Sequence, residues 1–110
     1  MAYEIRISEN AKTDYRALDA RWRSVLKNAL EVHLRHEPEK VSRSGIKRLR
    51  GIRKPQYRLR VGEIRVFYDV ADDGVNVLAI VPKSRAAQWL ARHGVTEDDR
   101  GSEADPSPTA

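Results

Sequence analysis

Alternating apolar and polar positions in residues 45–81 predict a run of antiparallel strands. In residues 56–61, apolar side chains alternate with Arg58 and Arg60, and side chains alternate between the two faces of a strand. Residues 64–70 repeat the alternation, and Gly62-Glu63 between the two runs is typical of a two-residue hairpin turn. The resulting register pairs Val61 with Ile64, Arg60 with Arg65, Leu59 with Val66 and Arg58 with Phe67.

The N-terminal third predicts a short strand followed by two helices. Tyr3 to Ile7 alternates as a strand does, and residues 8–10 offer caps for a first helix. Asp19 would cap a second helix that ends at about Arg35. Its apolar stripe consists of Trp22, Val25, Leu26, Ala29, Leu30 and Leu34. Two helices with a short joint indicate a helical hairpin laid on the sheet.

Turn residues divide the remainder of the chain. Residues 46–50 are predicted to form a strand, residues 51–55 a basic turn, residues 75–81 a central strand and residues 85–93 a short helix. With Asp73-Gly74 at the centre of the second turn, the predicted register places Phe67 opposite Ile80 and Arg65 opposite Pro82.

The predicted fold class is α+β, with an N-terminal strand, a helical hairpin on a mainly antiparallel four-stranded sheet, and a short C-terminal helix. The 110 residues suffice for one domain, which we place at residues 1–94. Residues 95–110 are polar and acidic, with too little apolar surface to fold, and we expect them to form a disordered tail.

The predicted pairing of Arg60 with Arg65 places two like charges directly opposite each other. Such a pair opposes folding by a few tenths of a kcal/mol up to about 1 kcal/mol. One interpretation is that an anion binds between the arginines, since a guanidinium fits phosphate and stays charged. The other is that both side chains extend into water. The pattern alone leaves both open.

Positive charge is concentrated in a wider region around these two arginines. The chain has a formal charge of +5, and residues 40–65 contain ten basic residues against one acid. Such a region would attract a polyanion. Cysteine is absent, and no apolar run approaches the roughly 18 residues of a membrane span. The three histidines lack metal-ligand spacing. We therefore expect a soluble, cytoplasmic protein with neither metal nor cofactor, not associated with membranes.

Several motifs together resemble the RelE/ParE superfamily of type II toxins. They are IKRLRG, YRLRVGEIRVFYDV, VLAIV and a following Arg85 with an aromatic residue four positions later. The resemblance covers about residues 3–91. It implies a microbial ribonuclease-like fold and a cognate antitoxin partner whose extended segment wraps the toxin. RelE-like members cleave messenger RNA in the ribosomal A site, whereas ParE-like members inhibit DNA gyrase.

The resemblance also implies site residues. The catalytic positions of RelE fall on Arg58, Arg60, Arg65 and Arg85. Further residues expected to bind nucleic acid are Lys47, Arg48, Arg50, Arg53, Lys54, Lys83 and Trp89. Arg58 and Arg60 stand where RelE has lysines, and Trp89 stands at the spacing of its C-terminal tyrosine. Arginines can stabilise a pentavalent phosphate, but they supply no general base.

The first functional hypothesis is the toxin of a type II toxin–antitoxin system that acts as a metal-independent, ribosome-dependent mRNA endonuclease and inhibits translation. Its partners would be the antitoxin, the ribosome and mRNA. A ParE-like inhibitor of DNA gyrase is the alternative, favoured by the missing acid–base groups. A third hypothesis is a non-catalytic RNA-binding module or an inactive toxin relic.

Overall fold

The computed structural model describes residues 2–97, which form seven strands and three helices. The strands are β1 (Glu4–Ile7), β2 (Ile46–Arg48), β3 (Ile52–Lys54), β4 (Tyr57–Val61), β5 (Ile64–Val70), β6 (Gly74–Pro82) and β7 (Val95–Thr96). The helices are α1 (Glu9–Ala17), α2 (Ala20–Leu34) and α3 (Lys83–His93). The predicted boundaries are close to these, although β2 ends at Arg48 and not at Arg50.

The predicted helical hairpin is confirmed, including its caps. The Ser8 hydroxyl accepts a hydrogen bond from the Ala11 amide at 3.1 Å, and Asp19 accepts one from the Trp22 amide at 2.9 Å. Each side chain thereby satisfies an amide that has no partner within the first helical turn. Only two residues, 18 and 19, separate the end of α1 from the start of α2.

One side of α2 packs into the main core. Leu26, Leu30 and Leu34 are buried, since a spacing of four keeps them on one face. Val25 is exposed, with 42% of its surface accessible. Its predicted place in the apolar stripe is wrong, because successive helical residues are rotated by roughly 100° and the buried line runs through Leu26.

A five-stranded sheet in the order β1-β6-β5-β4-β2 forms the centre of the molecule. The predicted α+β architecture is confirmed: β2, β4, β5 and β6 pair antiparallel, and β1 adds a fifth strand parallel to β6. The register predicted for the β4–β5 hairpin is also confirmed, including Arg60 opposite Arg65. Gly62 in this turn has a φ of 59°, a conformation that favours glycine.

The register predicted between β5 and β6 is wrong by one residue. Phe67 lies opposite Ala79, and Arg65 lies opposite Val81. The turn is centred on residues 72–73, because the Ala71 amide donates to the Gly74 carbonyl at 2.8 Å. A register shift between Phe67 and Tyr68 then offsets part of that change. The shift decides which β6 side chains share a face with the arginines.

The predicted basic turn and the start of the predicted tail pair with each other. Ile52 lies opposite Thr96 and Lys54 opposite Val95, so β3 and β7 form a two-stranded ribbon. Residues 95 and 96 are therefore part of the folded domain, which corrects the predicted boundary after residue 94. Sequence reasoning missed this ribbon because each strand has only two or three residues. Residues 98–110 of the predicted tail lie outside the described residues.

The sheet carries a core on each face. Apolar residues of α1 and α2 pack on the face that contains Leu59, Val66 and Tyr68. A smaller cluster on the other face joins Phe67, Ala79 and Val81 to four partly buried residues, namely Leu49, Ala86, Trp89 and Leu90. Helix α3 therefore lies on the face opposite to the helical hairpin. Within residues 2–97, no helix is long and apolar enough to cross a membrane.

Candidate functional site

Strand pairing brings four basic side chains to the face that α3 occupies. Lys47 on β2 lies opposite Arg58 on β4, and Arg60 on β4 lies opposite Arg65 on β5. These positions share a face with Phe67, which is opposite Arg58 and belongs to the α3 core. We call Lys47, Arg58, Arg60 and Arg65 the arginine face.

Arg65 is fixed to the hairpin by its own side chain. It is only 6% exposed. Its Nη1 donates hydrogen bonds to the carbonyl oxygens of Gly62 at 2.8 Å and Ile64 at 3.1 Å. These bonds restrict the conformations of the Arg65 side chain and so fix the position of its positive charge. Arg65 is consequently a structural residue of the turn as well as a source of charge.

The Arg58 side chain is half-buried, and one of its hydrogen-bond donors has no partner among residues 2–97. Within residues 2–97 its Nε is buried without a hydrogen-bond partner. Burial lowers the pKa of the Arg58 guanidinium, and the charges of Arg65 and Arg60 lower it further. A buried donor without a partner costs about 1–3 kcal/mol. An acceptor from outside the chain, and an anionic one above all, would offset this cost.

The arginine face has no acidic partner within residues 2–97. None of its four cations lies within 4.0 Å of a carboxylate oxygen in this part of the chain. The side chain of Arg60 is exposed and makes no hydrogen bond among these residues. The like-charge pair expected from the sequence is therefore present, and no carboxylate of the described residues compensates it. This favours the anion-binding interpretation over the solvated one.

We expect Arg60→Gln to increase the free energy of unfolding by a few tenths of a kcal/mol, because it removes one member of a like-charge cross-strand pair. Urea denaturation at low ionic strength measures this difference. Arg21→Gln is the matched control, since Arg21 is exposed on α2, away from the arginine face. A loss of stability in Arg60→Gln that exceeds the loss in the control would show that Arg60 has a stabilising partner.

A second basic group lies in a cleft between α1 and α3, beside the end of β6. We call it the α1–α3 cleft. Its volume is about 440 Å³, and it is lined by Asp14, Val81, Arg85, Gln88, Trp89, Arg92 and His93. The Asp14 carboxylate accepts a hydrogen bond from the Ile80 amide at 3.0 Å, which fixes one wall of the cleft. The cleft thus combines guanidinium, imidazole and carboxylate groups.

The α1–α3 cleft that contains Arg85 adjoins the arginine face at Val81. Val81 lines this cleft together with Arg85, and it lies opposite Arg65 on β5. Arg58 and Arg60 are on β4, one strand further from β6. Lys83 is exposed at the start of α3, and its backbone amide donates to the Glu63 carbonyl at 2.7 Å.

Trp89 packs within the protein. Its ring stacks on Phe67 with centroids 5.0 Å apart and planes 6° apart, so Phe67 covers one face of the indole. The His93 ring lies 5.1 Å from Trp89 at a tilt of 36°. The first contact anchors α3 to the sheet beside the arginine face. The predicted stacking of Trp89 on a nucleic-acid base stays a prediction, and it is limited to the ring surface that Phe67 leaves uncovered.

The other predicted nucleic-acid contacts do not share one surface. Arg48 points to the opposite face of the sheet, where it lies 5.3 Å above the Tyr57 ring and donates to the Gln56 carbonyl at 2.8 Å. The Lys54 amine is 3.9 Å from an Asp69 carboxylate oxygen. Arg50 and Arg53 are exposed near β3, and their side chains have no partner within residues 2–97.

Sequence reasoning missed two residues of the α1–α3 cleft that can transfer protons, Asp14 and His93. His93 stands four and eight residues after Trp89 and Arg85, a spacing that places all three on one helix face. That spacing could have identified His93. Asp14 had no such signal, because its contact with Ile80 joins residues far apart in the chain. Among the described residues, no group of three or more potential ligands could hold a metal ion.

Comparison with known proteins gives similarity at the level of structure. No protein-family model matches the chain, and no curated protein sequence does. A free E. coli RelE toxin with two arginines replaced by alanine is 27% identical, with a TM-score of 0.61 over 83% of this chain and 93% of that one.

Two further structures show the same fold. RelE from Pyrococcus horikoshii, solved in a RelE–RelB complex, is 24% identical, with a TM-score of 0.59 over 77% of this chain and 99% of that one. YoeB from Staphylococcus aureus, solved as a dimer, is 18% identical, with a TM-score of 0.54 over 74% and 97%. The resemblance to RelE-like type II toxins indicated by the sequence motifs is confirmed, and the chain has their fold.

Proposed function

We propose that this protein is the toxin of a type II toxin–antitoxin system and that it cuts messenger RNA on the ribosome. The observation that carries the proposal is the arginine face, where Arg58 has a buried Nε without a partner among the described residues. A surface of this kind on a RelE fold favours a phosphate ligand. Both the fold similarity to RelE and the charge of the arginine face support RNA as that ligand.

Cleavage of RNA without a metal requires three events. A base removes the proton of the 2′-hydroxyl, the 2′-oxygen bonds to phosphorus, and the bond from phosphorus to the 5′-oxygen breaks as that oxygen gains a proton. Negative charge accumulates on the phosphate oxygens in between. Arg58 and Arg60 would stabilise this charge, with Arg65 already held by the turn carbonyls.

The α1–α3 cleft would supply the proton transfers that arginine cannot. His93 is exposed there, and an imidazole can both accept and donate a proton. Arg85 and Arg92 line the same cleft and would hold neighbouring phosphates. Bound RNA would therefore extend from the arginine face across α3 to the cleft.

The proposal includes a protein antitoxin. The similar RelE proteins from Pyrococcus horikoshii and Mycobacterium tuberculosis were solved as complexes with their antitoxins. An antitoxin for this chain would offer acidic side chains, because the arginine face has no carboxylate partner within residues 2–97.

Primer extension on a cell-free translation reaction tests the proposed activity. We expect the protein to produce new messenger 5′ ends within translated codons, and only when ribosomes are present. Arg60→Ala should reduce cutting by about 10²-fold or more, because it removes a positioned cation that stabilises the charge of the transition state, while Arg21→Ala should cut normally. Intact messenger with normal translation would contradict the proposal, and inhibited supercoiling by gyrase in that case would favour the ParE-like function.

His93→Gln tests the proton-transfer role of the α1–α3 cleft. General acid–base catalysis contributes about 10²–10⁴-fold, so we expect a loss of that order in cutting rate, with RNA affinity unchanged. His33→Gln is the control, because His33 is an exposed histidine on α2. Equal cutting rates in His93→Gln and the unsubstituted protein would exclude this role.

A further inference from the structure

The chain leaves the described structure beside its most basic loop. The β3–β7 ribbon holds residues 95 and 96 against residues 52–54. The Glu97 amide then donates to the Gly51 carbonyl at 3.1 Å. Residue 98 therefore begins within one residue of this contact, next to the connection between β2 and β4.

Three cations lie within four residues of Gly51 along the chain and have no partner among residues 2–97. Lys47, Arg50 and Arg53 are exposed, and within residues 2–97 their side chains make no hydrogen bond or ion pair. We call them the exit patch. Lys47 also belongs to the arginine face, where it lies opposite Arg58. The exit patch is thus continuous with the surface proposed to bind RNA.

The segment that follows has the opposite charge. Residues 98–110 contain four acids and one arginine, which gives a formal charge of −3. Because the whole chain has a charge of +5, residues 1–97 carry +8. The four acids are Asp98, Asp99, Glu103 and Asp105. The segment contains no large apolar residue that could anchor it in a groove. Charge is therefore the property by which it can recognise a surface.

Its length is sufficient to reach the arginine face. Thirteen residues span at most about 43 Å when extended, whereas the four residues from Gly51 back to Lys47, which lies opposite Arg58, span at most about 14 Å. A tethered segment this short has an effective concentration on the order of millimolar. Nonspecific binding of nucleic acid has dissociation constants of about 10⁻⁴ to 10⁻⁶ M, so a tethered anion can compete.

We propose that residues 98–110 bind the exit patch and the adjoining Arg58 in cis, where their carboxylates compete with RNA phosphates. This inference goes beyond the proposed function and requires only that the basic surface binds polyanions. The segment thereby raises the apparent dissociation constant for RNA. The effect applies to RNA that binds this surface without contacts elsewhere.

Fluorescence anisotropy with a labelled oligouridylate tests this proposal without ribosomes. In the tail-neutral variant, Asp98→Asn, Asp99→Asn, Glu103→Gln and Asp105→Asn are combined in the full chain. We take an effective concentration of about 1 mM for the tethered segment and a dissociation constant of about 10⁻⁴ M for its binding to the basic surface. Removing the charge of the segment should then tighten RNA binding about tenfold in low salt. The gain should disappear near 1 M salt, where charges are screened beyond about 3 Å.

The matched control removes four acids elsewhere through Glu9→Gln, Glu37→Gln, Glu39→Gln and Asp72→Asn. All four residues are exposed, and their removal changes net charge equally. We expect a gain well below that of the tail-neutral variant. Equal gains in the two variants would overturn the proposal, as would unchanged or undetectable RNA binding in the tail-neutral variant. Messenger cutting is not measured, so failure here leaves the proposed function separately testable.

Discussion

Repulsion among Arg58, Arg60 and Arg65 is the interaction on which the site depends. The β4–β5 pairing places Arg60 opposite Arg65, and the Gly62 and Ile64 carbonyls hold the Arg65 guanidinium in the hairpin. Arg58 completes the group with a half-buried side chain whose pKa is lowered by burial and by both neighbours. The helix-covered core on the other face of the sheet offsets this cost. The protein is thus built to hold positive charge before any ligand arrives.

The two cores divide stability and function between the faces of the sheet. The face with Leu59, Val66 and Tyr68 packs against the helical hairpin and contains the larger cluster. The face of the sheet that carries the arginines has a smaller core, anchored by the stack of Trp89 on Phe67. Helix α3 packs on this face and carries Arg85, Arg92 and His93, which line the α1–α3 cleft. It therefore joins the arginine face to the α1–α3 cleft.

Local patterns predicted the hairpin and its charges because turn chemistry and strand alternation are encoded within a few residues. The Gly62-Glu63 turn fixed the β4–β5 register, and with it the meeting of Arg60 and Arg65. The predicted β5–β6 register failed because the turn is centred on residues 72–73 and not on Asp73-Gly74, and the register shift at Phe67 offset only part of that difference. The β3–β7 ribbon, and Asp14 beside Ile80, depend on contacts between distant segments. A single sequence contains no direct signal for such contacts.

Stabilisation by phosphate tests the central claim that the arginine face is an anion site that residues 2–97 leave unfilled. Urea unfolding is compared in sodium phosphate and sodium chloride at equal ionic strength, for the unsubstituted protein and for Arg58→Gln. Phosphate also stabilises proteins generally, and Arg58→Gln measures that contribution. We predict that phosphate adds about 1 kcal/mol more to the unsubstituted protein, as a ligand at several times its dissociation constant would. An equal effect of phosphate on both proteins would contradict the account.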